Sequence, residues 1–207
     1  MKYPKLRELK EAITALIKGP ATIDFPYGKH TAMPGFRGKP TPDQQECIGC
    51  GACAEVCPCA AIEVKNILDK QPKIREMIWH YDLCVYCGQC ERLCTTQKGV
   101  KLTQEYDLAT HDRSTLFSKV EHELVICEHC SAIIGTQPHL KWTAGKLGPL
   151  AGGNFNLIFT SQKEMGLSEN ASPDIKSQEY RRQDLYKVLC PKCRHLALVY
   201  NQTGKQP

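Results

Sequence analysis

One cysteine pattern is written twice between residues 47 and 94, and it constrains the fold more than any other feature of the chain. The first copy reads Cys47-Ile-Gly-Cys50-Gly-Ala-Cys53-Ala-Glu-Val-Cys57-Pro58. The second reads Cys84-Val-Tyr-Cys87-Gly-Gln-Cys90-Glu-Arg-Leu-Cys94-Thr95. Each copy is C-x2-C-x2-C-x3-C. Three closely spaced thiolates can wrap three corners of an Fe4S4 cube, and the fourth points away to complete a neighbouring cube. The ligand sets are therefore expected to cross. The first cluster takes Cys47, Cys50, Cys53 and Cys94, and the second takes Cys84, Cys87, Cys90 and Cys57. A zinc site would use two separated pairs instead.

The expected fold class is α+β, with a bacterial-type two-cluster ferredoxin core over residues 43–109. Such a core is small, so bound metal is expected to supply much of its folding free energy. Gly49, Gly51 and Gly88 allow the backbone to approach sulfur closely. One turn or two of helix is expected after Gly51 and after Gly88. Ala61–Val64, Ile74–Trp79 and Val100–Thr103 are candidate strands, and about residues 65–80 are expected to form a surface hairpin. Cys59 fits neither copy and is expected to be a small buried residue.

Residues 1–42 form an N-terminal helix and a docking arm. Leu6, Leu9, Ile13, Leu16 and Ile17 recur at helical spacing over residues 4–18, opposite a charged face, and Gly19-Pro20 ends the run. The stripe suits a partner surface or a membrane interface. Pro20, Pro26, Pro34, Pro40 and Pro42 disfavour regular structure up to residue 46, which predicts an extended arm.

Residues 110–207 carry two further pairs, Cys127-x2-Cys130 and Cys190-x2-Cys193. Four thiolates make a closed tetrahedral site, either a zinc ribbon or a rubredoxin-like iron site, with two knuckles on strand ends. His129 and His195 stand beside them as substitute ligands. Four ordinary reduced thiols are the plain alternative. A polar, glycine-rich loop is expected between the pairs, and Leu196–Tyr200 is expected to continue a strand.

With 13 cysteines in 207 residues and repeated C-x2-C steps, the chain suits a reducing compartment. Met1-Lys2-Tyr3-Pro4-Lys5 is not followed by the apolar run of a signal peptide. A net charge of +5 is modest. Arg181-Arg182 and the N-terminal lysines are the only support for nucleic-acid binding, and no such partner is expected. No catalytic constellation is present, so the expected role is electron transfer through two 4Fe-4S clusters.

Phe25-Pro26, Phe36-Arg37-Gly38-Lys39-Pro40, Cys47-Ile-Gly-Cys50 and Thr103-Gln-Glu-Tyr-Asp-Leu-Ala109 resemble the ferredoxin-like subunit of formate hydrogenlyase. The same layout without the late pairs is similar to the two-cluster subunit of respiratory complex I. Thr95 departs from the proline usual after the last cysteine. The resemblance implies a peripheral subunit of a membrane-bound nickel–iron hydrogenase complex, on the cytoplasmic face of the membrane. It implies as partners the hydrogenase small and large subunits and the membrane arm. Electrons would enter from an iron–sulfur input subunit or a soluble ferredoxin. A complex I-type subunit passing electrons toward quinone is the alternative.

Overall fold

The structure is a computed structural model that describes residues 5–20, 22–28, 30–166 and 182–203. It divides into two compact units, Met1–Phe36 and Arg37–Pro207. In the first, helix α1 spans Leu6–Lys18. It starts after Lys5, whose backbone N–H donates to the Glu8 carboxylate at 3.2 Å. It ends at Gly19, where φ is +74°. None of its residues is buried, and its whole apolar stripe is exposed. Pro4, expected in the first turn, lies outside the described residues, as does Arg181.

The second unit is mixed helix and strand, as expected. A two-stranded antiparallel ribbon joins β1 (Pro40–Pro42) to β4 (Val100–Leu102). The arm expected to be extended but outside any sheet thus contributes a short strand. Prolines are tolerated on such an edge because neighbouring residues carry the pairing. The amides of Gly38, Lys39 and Asp43 donate to the carbonyls of Thr103, Glu105 and Gly99 at 2.9, 2.9 and 3.1 Å.

The larger sheet has four antiparallel strands in the order β2-β3-β5-β6. They are β2 (Ile62–Ile67), β3 (Ile74–His80), β5 (Phe117–Ile126) and β6 (Ile133–Thr136). The expected hairpin is present as β2–β3, and its turn, residues 68–72, is exposed, but β3 is not at the surface. β3 lies inside the sheet, paired on both sides, and Met77 and Trp79 are 0% and 2% exposed. Cross-strand pairs Ile62–Trp79, Val64–Met77 and Met77–Val120 put these residues on one face. The cysteine loops pack on that face: Cys53, Cys90, Tyr81 and Val100 complete the core, with Cys47, Cys57 and Cys94 against it. Each large apolar side chain buried here contributes about 1.5–3 kcal/mol.

The sheet continues past residue 110, since β5 pairs with β3. Beyond it the structure departs from the expected loop. Helix α4 (Gln137–Leu147) begins where the Thr136 hydroxyl accepts the His139 amide at 3.3 Å. Helix α5 (Phe155–Glu164) begins where the Asn154 side chain accepts the Asn156 amide at 3.0 Å. Of the glycines that suggested a loop, Gly145 lies inside α4 and Gly148 at its end, while Gly152 and Gly153 fall in a short 3-10 stretch before α5. Leu196–Tyr200 is helical too, within α6 (Pro191–Thr203). Pro191 takes the first helical position directly after Cys190, where its missing N–H costs nothing.

A methyl group at Gly38 would stand 2.7 Å from the Thr103 carbonyl oxygen and closer still to that of Glu105. Gly38→Ala is therefore expected to lower unfolding free energy by about 1–3 kcal/mol, by analogy with overpacking. Denaturant unfolding of the metal-loaded protein checks this; an unchanged midpoint would contradict the ribbon.

Candidate metal centres

The two short helices that shape the cysteine loops, α2 and α3, span Ala52–Glu55 and Gln89–Arg92. Each starts from a glycine in the left-handed region, Gly51 at φ +84° and Gly88 at +78°. Only glycine adopts that turn without cost, so each C-x2-C loop can bend directly into a helix that carries the third cysteine. The copies match in finer detail. The Gly49 amide points at Cys47 Sγ (3.5 Å) and the Tyr86 amide at Cys84 Sγ (3.4 Å). Tyr86 holds φ +52° at the position where Gly49 holds +62°. A bulky residue pays strain in that region, and such strain concentrates at functional sites.

The loops line two cavities open to solvent. One is lined by Cys84, Cys87, Cys90, Cys57 and Cys59. The other is lined by Cys47, Cys50, Cys53 and Cys94. The last cysteine of each copy thus faces the cavity of the other copy's first three. Trp79 lines both cavities.

The first-copy loop is fastened to the sheet. Arg75 donates to the Gly49 carbonyl at 3.0 Å, and the Thr136 hydroxyl donates to that of Ile48. His122 stands against Gly49, where an added methyl would lie 2.8 Å from its ring. On the second copy, Arg37 donates to the Cys87 carbonyl at 3.0 Å.

The donor set fits iron–sulfur clusters. Burial, reinforced by neighbouring thiols, pushes Cys47 up to about 11 and Cys53 to about 12. Burial also pushes Cys90 to about 11. Such thiols ionise readily only against added positive charge, which iron supplies. Further polar groups stand at the sulfurs: the Ala61 amide at 3.3 Å from Cys57 Sγ, and the Thr95 hydroxyl at 3.2 Å from Cys50 Sγ. The buried Trp79 Nε1 has no hydrogen-bond partner among the described residues. A sulfur atom in either cavity would provide the acceptor such a donor requires.

A third group forms at the end of β5. The sulfurs of Cys127, Cys130, Cys190 and Cys193 all lie within 4.8 Å of one another. Cys127 follows β5, and its loop closes through Ser131 N–H to Cys127 O (2.9 Å) and Cys127 N–H to Ala132 O (2.8 Å). The partner pair sits at the start of α6 rather than on a strand. Asn156 on α5 secures that approach, donating to the Leu189 carbonyl at 2.9 Å and accepting its amide at 3.2 Å. Burial raises the Cys190 pKa, but the Cys193 amide and the adjacent thiols outweigh it and bring it down to about 7. A closed set of four sulfurs can hold a single zinc or iron ion. His129 Nδ1 lies 3.8 Å from Cys193 Sγ, while His195 is exposed.

Sequence reasoning overlooked the position of Trp79 between the cavities and the placement of Cys59. The aromatic, alternating run before Cys84 was the available signal for Trp79.

A family model described as a 4Fe-4S dicluster domain matches residues 46–98. Formate hydrogenlyase subunit 6 of Escherichia coli K12 is 33% identical over 130 residues, covering 62% of this chain and 70% of that protein. NADH-quinone oxidoreductase subunit I 2 of Geobacter metallireducens is 29% identical over 119 residues, covering 55% and 90%. NAD(P)H-quinone oxidoreductase subunit I of Gloeobacter violaceus is 32% identical over 100 residues, and the match spans about half of each protein, 47%. A chain from the membrane-bound sulfane sulfur reductase, an archaeal respiratory membrane complex, is 28% identical, with a TM-score of 0.40 over 56% of this chain and 61% of that one. That superposition is too loose to argue from.

Cys193→Ala is expected to remove about one equivalent of zinc or mononuclear iron and leave the cluster iron unchanged. Elemental analysis with absorbance spectroscopy checks it; unaltered metal content would leave the late thiols without a metal role. Trp79→Phe removes the indole N–H and is expected to lower the reduction potential of at least one cluster, because hydrogen bonds to sulfur help set it. Potentiometric titration reads the shift, and identical potentials would show that the N–H does not reach a cluster.

Proposed function

This chain belongs to the family of dicluster iron–sulfur subunits that includes formate hydrogenlyase subunit 6, and from that premise we propose that it relays electrons through two 4Fe-4S clusters inside a membrane-bound nickel–iron hydrogenase complex. One observation carries the reading: each cavity draws three cysteines from one copy and the fourth from the other, with Trp79 in the wall they share. Cys47, Cys50, Cys53 and Cys94 would hold one cluster, and Cys84, Cys87, Cys90 and Cys57 the other. When bound, the clusters supply one-electron exchange. The chain's own residues fix the spacing. Trp79 keeps water from the shared wall, Met77 and Val100 close the cavity of Cys47, Cys50, Cys53 and Cys94, and the amides of Gly49 and Tyr86 place donors at ligand sulfur.

Electrons would pass from an iron–sulfur input subunit, or a soluble ferredoxin, to the hydrogenase small subunit. The longer match to formate hydrogenlyase subunit 6 than to the quinone-linked relatives supports the hydrogenase branch, and so do the late cysteine pairs. No described helix is long and apolar enough to cross a membrane. The exposed stripe of Leu6, Leu9, Ile13, Leu16 and Ile17 on α1 would dock on a partner subunit beside the membrane arm, at the cytoplasmic face. The quinone-linked names of two of the relatives support a second reading, in which the same relay feeds a quinone-reducing complex.

Affinity purification of the tagged chain from membranes, with mass spectrometry, separates the two. The hydrogenase large and small subunits are expected to travel with it; a quinone-reducing complex without a nickel–iron subunit would overturn the first reading. Cys94→Ala is expected to lower cluster iron from about eight atoms to about four and to abolish hydrogenase-linked electron flow.

A further inference from the structure

Cys59 belongs to neither crossed set nor to the late pairs, yet it lines the cavity of Cys57, Cys84, Cys87 and Cys90. Its sulfur lies 3.7 Å from that of Cys57. A turn brings the two together. The Ala60 amide donates back to the Cys57 carbonyl at 3.2 Å, Ala60 takes φ +49°, and Pro58 restricts the backbone between the two cysteines. Two sulfurs two residues apart thereby meet at one edge of one cavity.

The other copy makes the same turn. The Gln97 amide donates to the Cys94 carbonyl at 3.0 Å, and Gln97 takes φ +61°. There the counterpart of Cys59 is Thr96, which also lines its cavity. Its hydroxyl, 3.5 Å from Cys94 Sγ, is occupied by protein: it donates to the Glu46 carbonyl at 3.1 Å and accepts the Gly99 amide at 2.9 Å. The backbones correspond, but one copy carries an oxygen committed elsewhere and the other a sulfur that faces the backbone amides of Val85 and Ala61. Thiolate sulfur is a soft ligand that suits iron–sulfur sites, whereas a neutral hydroxyl is a weak one.

We propose that Cys59 shares the fourth corner of the cluster in this cavity with Cys57, so that the iron there can be held by either sulfur. The proposal rests on the two-cluster reading above. In the exchange the bond from iron to Cys57 breaks as the bond to Cys59 forms. The Cys59 thiol proton passes to the released Cys57 thiolate, and no electron is gained or lost. The corner then survives the loss of one thiolate, which the corner held by Cys94 cannot.

The test uses the full chain, purified without oxygen and reconstituted with iron and sulfide. Its readouts are iron content and the electron paramagnetic resonance spectrum of the reduced protein. Wild type, Cys57→Ala and Cys59→Ala are each expected to keep about eight irons, with an altered spectrum for Cys57→Ala, while the double variant falls to about four. Cys94→Ala is expected to fall to about four irons, and Cys94→Ala/Thr96→Cys to recover toward about eight, because the added thiol takes the place that Cys59 holds in the other copy. If Cys57→Ala alone falls as far as Cys94→Ala while keeping the spectrum of the other cluster, the shared corner is wrong and the relay stands. A wild-type chain without two clusters would remove the relay and this proposal together.

Discussion

The second unit is organised around thiols that must be ionised in a place where ionisation is unfavourable. Cys53 and Cys90 are buried, and Cys47 joins them in being pushed far above the ordinary thiol range. Sulfur held in such surroundings becomes thiolate when a cation shares the space. The apolar shell around the sulfurs is thin, a few residues from the β2–β3 hairpin, β4 and β5 with Tyr81. A core of this size is weak without its metal, so ligation and folding are coupled. Crossed ligands would strengthen the coupling, because each cavity is lined by cysteines from both copies.

The sheet answers a second need, a rigid floor beneath both cavities. β3 carries Trp79 into the shared wall and Met77 into one of the two cavities, and β5 holds β3 in place through seven paired positions. The same β5 then delivers Cys127 to the late site. The Thr136 hydroxyl, at the start of α4, holds the Ile48 carbonyl in the first cysteine loop. The late four-sulfur group is therefore joined to the cluster loops through strands and hydrogen bonds. A structural ion there would brace the floor without carrying electrons.

What could be read from sequence follows the range of the interactions involved. Ligand spacing is local geometry, so Cys47 to Cys94 announced two loops and two one-turn helices, and α1 showed in its apolar period. The four late cysteines were legible as a group because pairs two residues apart make knuckles. Placement against the sheet was not legible. The run before Cys84 reads equally well as an exposed hairpin until β5, some 40 residues on, covers it. The helices α4 and α5 were obscured by glycines whose cost is offset by the Thr136 and Asn154 caps. Cys59 lies outside the repeat, and only the turn geometry shows that its sulfur reaches a cavity.

The most direct measurement of the central claim is the low-temperature electron paramagnetic resonance spectrum of the fully reduced, intact protein. Two clusters in cavities that share Trp79 as a lining residue would couple magnetically, so a split, fast-relaxing signal is expected that simplifies when only one cluster is reduced. Two independent, unbroadened signals, or the signal of one cluster alone, would contradict the account.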